Sequence, residues 1–276
     1  MNKKPKRKNI LIYYKSLRSK LLFKKILFEH PDLFDCVIEM PAIPYSRKTN
    51  KRNFKKIFKT FFESPEYVLM QFFIIYFYSF LSFFSKTTIK NYCYRKNIKH
   101  YYFEKIDSCF LSFLKAQEPN FIVNSTSCLL PKMMIKISKS GIINFHEAPL
   151  PSYRGSASYF WFFINNEIEA NVTCHFVEEE LDAGNIIFEG PKIKIQECLS
   201  VFDLWMKMLL SHHYSWNHIL PFLYSGEKIP SIKQSQTNQN NYSYPNKRAM
   251  GIFRKNKSKV LILKDIISYI KATLII

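Results

Sequence analysis

Short apolar runs alternate with amphipathic stretches along most of the chain. Residues 9–14, NILIYY, are compact, apolar and β-prone, and predict a buried strand. Residues 16–29 carry a Leu/Phe stripe at helical spacing, and DCVIEMP, residues 35–41, predicts a second strand. A β-α-β opening of this kind points to a parallel sheet. The alternation resumes at residue 100, with strands predicted over 100–104, 120–126, 141–147, 171–179 and 185–190. Helices are predicted over 107–116, 131–138 and 158–166, with Asp107 suited to an N-cap and Pro131 to a first turn. Val201, Leu204, Trp205, Met208 and Leu209 then fall at the spacing of a strongly amphipathic helix. A polar loop over 233–243 and a short apolar segment follow. The expectation is an α/β protein: a Rossmann-like, mostly parallel sheet in residues 1–198, and a small helical and hairpin extension in 199–276.

Residues 42–99 break this pattern and read as an insertion. Residues 47–59 hold seven Lys or Arg and no acid, interleaved with an apolar stripe of Phe54, Ile57 and Phe58 that continues to Phe61 and Phe62. YVLMQFFIIYFYSFLSFF, residues 67–84, follows without a charge, at the lower edge of a membrane-spanning length. Gln71, Ser79, Ser82 and the tyrosines suit lipid poorly, and a span would split the sheet in sequence. The leading reading is a helix buried in the protein or against a second subunit of a homodimer. Peripheral membrane contact through 47–84 and a true span are the alternatives.

The chain has 276 residues and a formal net charge of +20. That length supports one large domain with an appendage, and that charge favours an anionic partner: nucleic acid, anionic lipid or a phosphorylated substrate. A composition rich in Lys, Ile, Asn, Phe and Tyr, of the kind an AT-rich genome produces, accounts for part of the surplus. The six cysteines are scattered without a C-x-x-C pair, so neither a zinc site nor a dense disulfide framework is expected. The basic start leads into a strand, with no secretory pattern, and a reduced cytoplasmic compartment is expected, with membrane association as the variant.

Candidate chemistry sits in NFHEAPLPSYRG, residues 144–155. In a strand, Asn144 and His146 share a face and emerge together at its carboxyl end, where open α/β sheets bind ligands. Pro149 and Pro151 stop the strand and turn the backbone away. An Asn amide stabilises an oxyanion and a His takes a proton from an attacking amine, which suits acyl transfer. Such a pair wants a carboxylate, and Asp182, in a loop with Gly184, is the candidate. On pattern alone, packing and catalysis both fit an Asn-x-His strand. Glu147 is expected to point away from His146 into solvent, His175 to be structural, and Arg154 either to contact an anion or to fix its loop.

The ordered elements Asn144-Phe-His146, Pro149-Leu-Pro151, Arg154-Gly155, Val172-Thr173-Cys-His175 and Asp182-Ala-Gly184 resemble the hallmark of the folate-dependent formyltransferases over roughly residues 100–190. Ala148-Pro149 departs from the family's Ser-Leu. The resemblance implies a sheet of the formyltransferase N-terminal domain type and a formyl donor, N10-formyltetrahydrofolate, with no metal. Asn144 would hold the oxyanion, His146 would relay the proton and Asp182 would orient His146. The pterin would lie against Ser127, Cys128, Leu129 and Leu130 and against Glu179, Glu180 and Leu181. Leu150–Pro151 would be a cis peptide.

The family's purine-pathway member has a Gly-rich turn after its first strand; here that turn reads YYKSLRSK and the first glycine is Gly141. Lys15, Arg18 and Arg154 are the candidate substrate contacts. An anionic small-molecule amine, a nucleotide-linked amino sugar, is the leading acceptor. Methionyl-tRNA is the second, with nucleic acid less favoured because only 78 residues follow the boundary near 198, little room for the family's OB-like domain. A basic nucleic-acid- or membrane-binding protein without catalysis is the reading from another class.

Overall fold

A computed structural model describes residues 8–41, 54–84, 88–126, 130–235 and 239–274. The opening run forms β1, Ile10–Tyr14, buried along its whole length, as expected for a central parallel strand covered on both faces. Helix α1, Leu17–Glu29, follows; the Ser16 side chain caps it by accepting from the Ser19 N–H. The further strands are β2 (Cys36–Met40), β3 (Lys99–Tyr102), β4 (Phe121–Ser125), β5 (Gly141–His146), β6 (Arg154–Gly155), β7 (Glu169–Ala170), β8 (Thr173–Phe176), β9 (Ile186–Glu189), β10 (Ile193–Lys194) and β11 (Asn241–Tyr242).

Seven of them form one sheet in the order β3-β2-β1-β4-β5-β8-β9, parallel from β3 through β5 and antiparallel at β8 and β9. Helix α1 covers one face, where Leu11, Tyr13, Phe23 and Val37 pack together. The Ser108–Gln117 helix covers the other, where Phe110 and Leu114 meet Ile10, Ile12 and Ile122. The strand order therefore runs outward in opposite senses from β1 and β4, and the carboxyl ends of the parallel β1, β4 and β5 open on that switch point.

Three expected elements differ. The helix expected over 131–138 spans only Lys132–Ile135; beyond it the Ser138 hydroxyl donates to Asn120 O and accepts the Gly141 N–H, which pins the chain into β5. The strand expected over 171–179 ends at Phe176; its pairing with β9 shifts register between Cys174 and His175, and the acidic residues beyond leave the sheet. The expected terminal hairpin is absent among the described residues. Instead, helices Lys247–Lys255 and Leu263–Leu274 follow the long helix Val201–Ser225, and Asn241–Tyr242 pairs in parallel with β6.

That long helix packs into the sheet's main core. Phe145 of β5 meets Trp216 at 4.8 Å, His212 at 5.0 Å and Phe23 at 6.2 Å between ring centroids. Truncating so enclosed an aromatic costs about 3–5 kcal/mol, so the strand bearing Asn144 and His146 is anchored from behind. The insertion is helical where it is described: Phe54–Glu63, Pro65–Phe83 with a π turn at Phe72–Phe77, and Ile89–Arg95.

Candidate functional site

Asn144 and His146 lie in the last three residues of β5; His146 faces Asp182 directly, and Asn144 reaches it through His175. Asp182 has a left-handed backbone (φ 49°), and its Oδ2 accepts the Gly155 N–H at 2.8 Å. Its carboxylate sits between two imidazoles, 3.9 Å from His146 Nδ1 and 3.7 Å from His175 Nε2. The three candidates, distributed over 39 positions of sequence from Asn144 to Asp182, are thus brought to one point.

The hydrogen bonds fix what each group offers. His175 is buried and its Nδ1 donates to Phe176 O at 2.7 Å, which leaves Nε2 as an acceptor. Asn144 Nδ2 lies 3.2 Å from that nitrogen, so one amide N–H is held there and the second is left to face a ligand oxygen. Burial pushes His175 below the ordinary histidine range, against the pull of Asp182, and keeps the ring neutral for this task. His146 Nε2 lies 2.7 Å from Tyr153 O and donates to it. Its Nδ1, on the Asp182 side, is the nitrogen free to take a proton, and the carboxylate stabilises the resulting imidazolium through space. The Leu150–Pro151 peptide bond that shapes this wall is cis.

The structure corrects two assignments, Arg18 and Glu147, and decides between the two readings of Arg154. Arg18 is not a substrate contact. It lies at the first turn of α1 over the ends of β4 and β5, pairs with Glu147 at 2.8 Å, and donates to Phe145 O at 2.6 Å and to Ser125 Oγ. Glu147 accordingly lies inside, not in solvent, because a cation is there to meet it. Arg154 is also turned inward, its side chain 3 % exposed, donating to Gln234 Oε1 at 2.8 Å and to Glu180 Oε1 at 2.9 Å. It fixes the loop and leaves no free fork for an anion. Lys15, by contrast, lines a cavity of about 300 Å³ beside the carboxyl ends of β1 and β2, with Ser16, Glu39, Lys90 and Asn91.

Of the expected pterin contacts, Leu130 is buried, Glu179 pairs with Lys132 at 2.6 Å, and Leu181 is exposed on the loop's rim. Ser127, Cys128 and Leu129 lie outside the described residues. His212 is buried and its neighbour His213 exposed, and among the described residues no group of His, Cys, Asp and Glu could hold a metal ion. Gln234 escaped sequence reasoning. It lies in a polar stretch read as a loop, yet its Nε2 donates to Asp182 O and Gly184 O, both at 2.7 Å, while its Oε1 takes Arg154. No periodic signal marks a single buried amide in such a stretch.

Residues 87–209 match the family model described as Formyl transferase. Among curated relatives, the chain is 35 % identical over 104 residues to a methionyl-tRNA formyltransferase of Clostridioides difficile (strain 630), covering 37 % of this chain and 33 % of that one. It is 31 % identical over 101 residues to a GDP-perosamine N-formyltransferase of Brucella melitensis biotype 1, covering 36 % of this chain and 39 % of that one. The chain thus spans little more than a third of the length of these relatives. Its fold is similar to that of an N-formyltransferase from Helicobacter canadensis solved with folinic acid and dTDP-3-aminofucose: TM-score 0.56, 16 % identity, 92 % of this chain and 84 % of that one.

Proposed function

We propose that this chain, whose residues 87–209 match the Formyl transferase model, moves a formyl group from N10-formyltetrahydrofolate to the amine of a nucleotide-linked amino sugar. The convergence of Asn144, His146 and Asp182 at the switch point carries the reading. The donor supplies an activated formyl carbon. The chain's own residues supply the rest. The second N–H of Asn144 meets the oxygen on which charge develops. His146 Nδ1 takes the proton released as the amine nitrogen bonds the formyl carbon, and returns it to the leaving N10 nitrogen as that C–N bond breaks. Asp182, held by Gly155, offsets the charge on His146 meanwhile. The rim at Glu179–Leu181 is where the pterin would lie.

For the acceptor, the cavity at Lys15 and Lys90 offers two cations beside the same sheet end, where a diphosphate would sit. The helices packed after residue 198 support a small-molecule acceptor. The similarity to the tRNA enzyme of C. difficile favours the second reading, methionyl-tRNA.

The test is tetrahydrofolate release by the purified chain with a panel of nucleotide-linked amino sugars and methionyl-tRNA. Release with a sugar, reduced about 10²–10³-fold in kcat by Asn144→Ala and abolished by His146→Ala, is expected. Release with the tRNA alone moves the acceptor to the second reading. Failure to bind folate at all overturns the enzyme and leaves a basic binding protein.

A further inference from the structure

The Pro65–Phe83 helix is long and apolar enough to cross a membrane by length and composition, yet one of its faces is docked on the protein. Tyr67, Met70, Ile74, Tyr78 and Ser82 are buried. Gln71 Nε2 donates to Tyr159 OH at 2.8 Å, and Tyr269 OH donates to Phe73 O at 2.8 Å. The buried positions recur every three or four residues, and the wide π turn at Phe72–Phe77 keeps that row in line. The opposite row, Leu69, Phe72, Tyr76, Phe80 and Phe83, is exposed by 48, 47, 48, 62 and 85 %. On the neighbouring helix, whose Tyr269 stacks on Phe77, Ile267 and Ile270 are exposed as well. A continuous aromatic row of this kind on a monomer marks an interaction surface.

The charges beside it choose the partner. The helices Phe54–Glu63, Pro65–Phe83 and Leu263–Leu274 hold three acids, each engaged locally: Glu63 with Lys59 at 3.7 Å, Glu66 with Arg254 at 2.8 Å, and Asp265 accepting from Ser200 Oγ at 2.7 Å. Lys55, Lys56, Lys264 and Lys271 on the same helices add only positive charge, and residues 47–53 add four more cations without an acid. Two copies meeting on this face would bring like charges together. An anionic lipid surface complements both the cations and the aromatic row.

We propose that this face seats the protein on an anionic membrane surface, with the Pro65–Phe83 helix lying in the interface and not crossing it. In co-sedimentation at low salt, the purified chain is expected to bind vesicles of mixed phosphatidylcholine and phosphatidylglycerol, and to bind phosphatidylcholine alone far less. Added salt weakens this binding. Phe72→Gln with Phe80→Gln, checked for folding by circular dichroism, weakens it at least about tenfold. Tyr76→Trp provides a readout that leaves the row intact, its fluorescence shifting to the blue on the mixed vesicles. Absence of binding at low salt, binding unchanged in the double variant, or no shift for Tyr76→Trp overturns the proposal. So does a wild-type dimer that the double variant dissolves without any vesicle binding, which would assign the face to a second copy.

Discussion

Replacing Arg18 by Met tests the support behind β5 directly. Its guanidinium and the Glu147 carboxylate are 2.8 Å apart, with side chains 13 % and 12 % exposed. Arg18 also holds Phe145 O, between Asn144 and His146, at 2.6 Å. Its loss strands a carboxylate beside Phe145 and His212, and removing one member of a buried pair costs about 3–5 kcal/mol. His212 Nε2, 3.9 Å from Glu147 and without a hydrogen bond, is placed to take up a proton and replace part of the lost charge. We therefore expect the lower end, about 3 kcal/mol. Glu147→Met alone strands Arg18 and costs about as much. The double variant, which buries no charge there, should cost less than either single change. Urea unfolding of the four proteins at neutral pH gives the coupling energy, expected at about 3 kcal/mol or more. Additive costs, or an Arg18→Met effect under about 1 kcal/mol, would refute the buried clamp and return Arg18 to the solvent side of the site.

Acid should unfold the protein through its histidines first. Burial holds His175 below, and His212 well below, the ordinary value of 6.5. The unfolded chain then binds the extra protons, so their share of stability is complete above about pH 6.5 and falls by about 1.4 kcal/mol per pH unit for each ring below it. His212→Phe should remove about half of that slope between about pH 6 and 5, read by urea unfolding; an unchanged slope refutes it. Glu39 and Glu66, held below the ordinary 4.5 chiefly by hydrogen bonds, act only at lower pH. Gly155→Ala should cost about 2–3 kcal/mol in thermal unfolding and lower kcat. Its φ is +98°, and a Cβ there would stand 2.0 Å from Tyr242 O, displacing the N–H that holds Asp182.

The sheet was legible because its information is local. The largely apolar NILIYY has few fates other than a buried strand, and a capping residue such as Asp107 marks where a helix begins. The Asn-x-His pair was legible for the same reason: strand geometry alone puts both side chains on one face. Local pattern failed where a side chain's partner is distant. Glu147 follows a strand and looks solvated until α1, 129 positions earlier, delivers Arg18. Arg154 reads equally as an anion contact or a loop fastener until Gln234, 80 positions on, accepts it. Hydrophobic periodicity carries no record of such polar pairings. The tail failed differently, since VLILKDIISYI has the apolar content of a strand and the spacing of a helix, and packing of Tyr269 on Phe73 and Phe77 decides for the helix.

The supporting residues around the candidate triad, of which Gln234 was missed, are the ones that make the site rigid. Asn144 is aimed by a neutral His175, whose ring is fixed by Phe176 O. Asp182 is held by Gly155 through its side chain and by Gln234 through its backbone, and Gln234 is clamped in turn by Arg154. Asn144 and Asp182 are thus supported by partners that are themselves hydrogen-bonded, the placement the proposed transfer would ask of an oxyanion donor. An Asn-x-His strand without such support would be a packing motif. The neutrality of His175 is the decisive part. A protonated ring would donate from both nitrogens, turn the Asn144 amide so that its oxygen faced His175 Nε2, and still leave its N–H pair unfixed. In the proposed reaction, burial of His175 away from water therefore serves the aiming of Asn144 as well as the core.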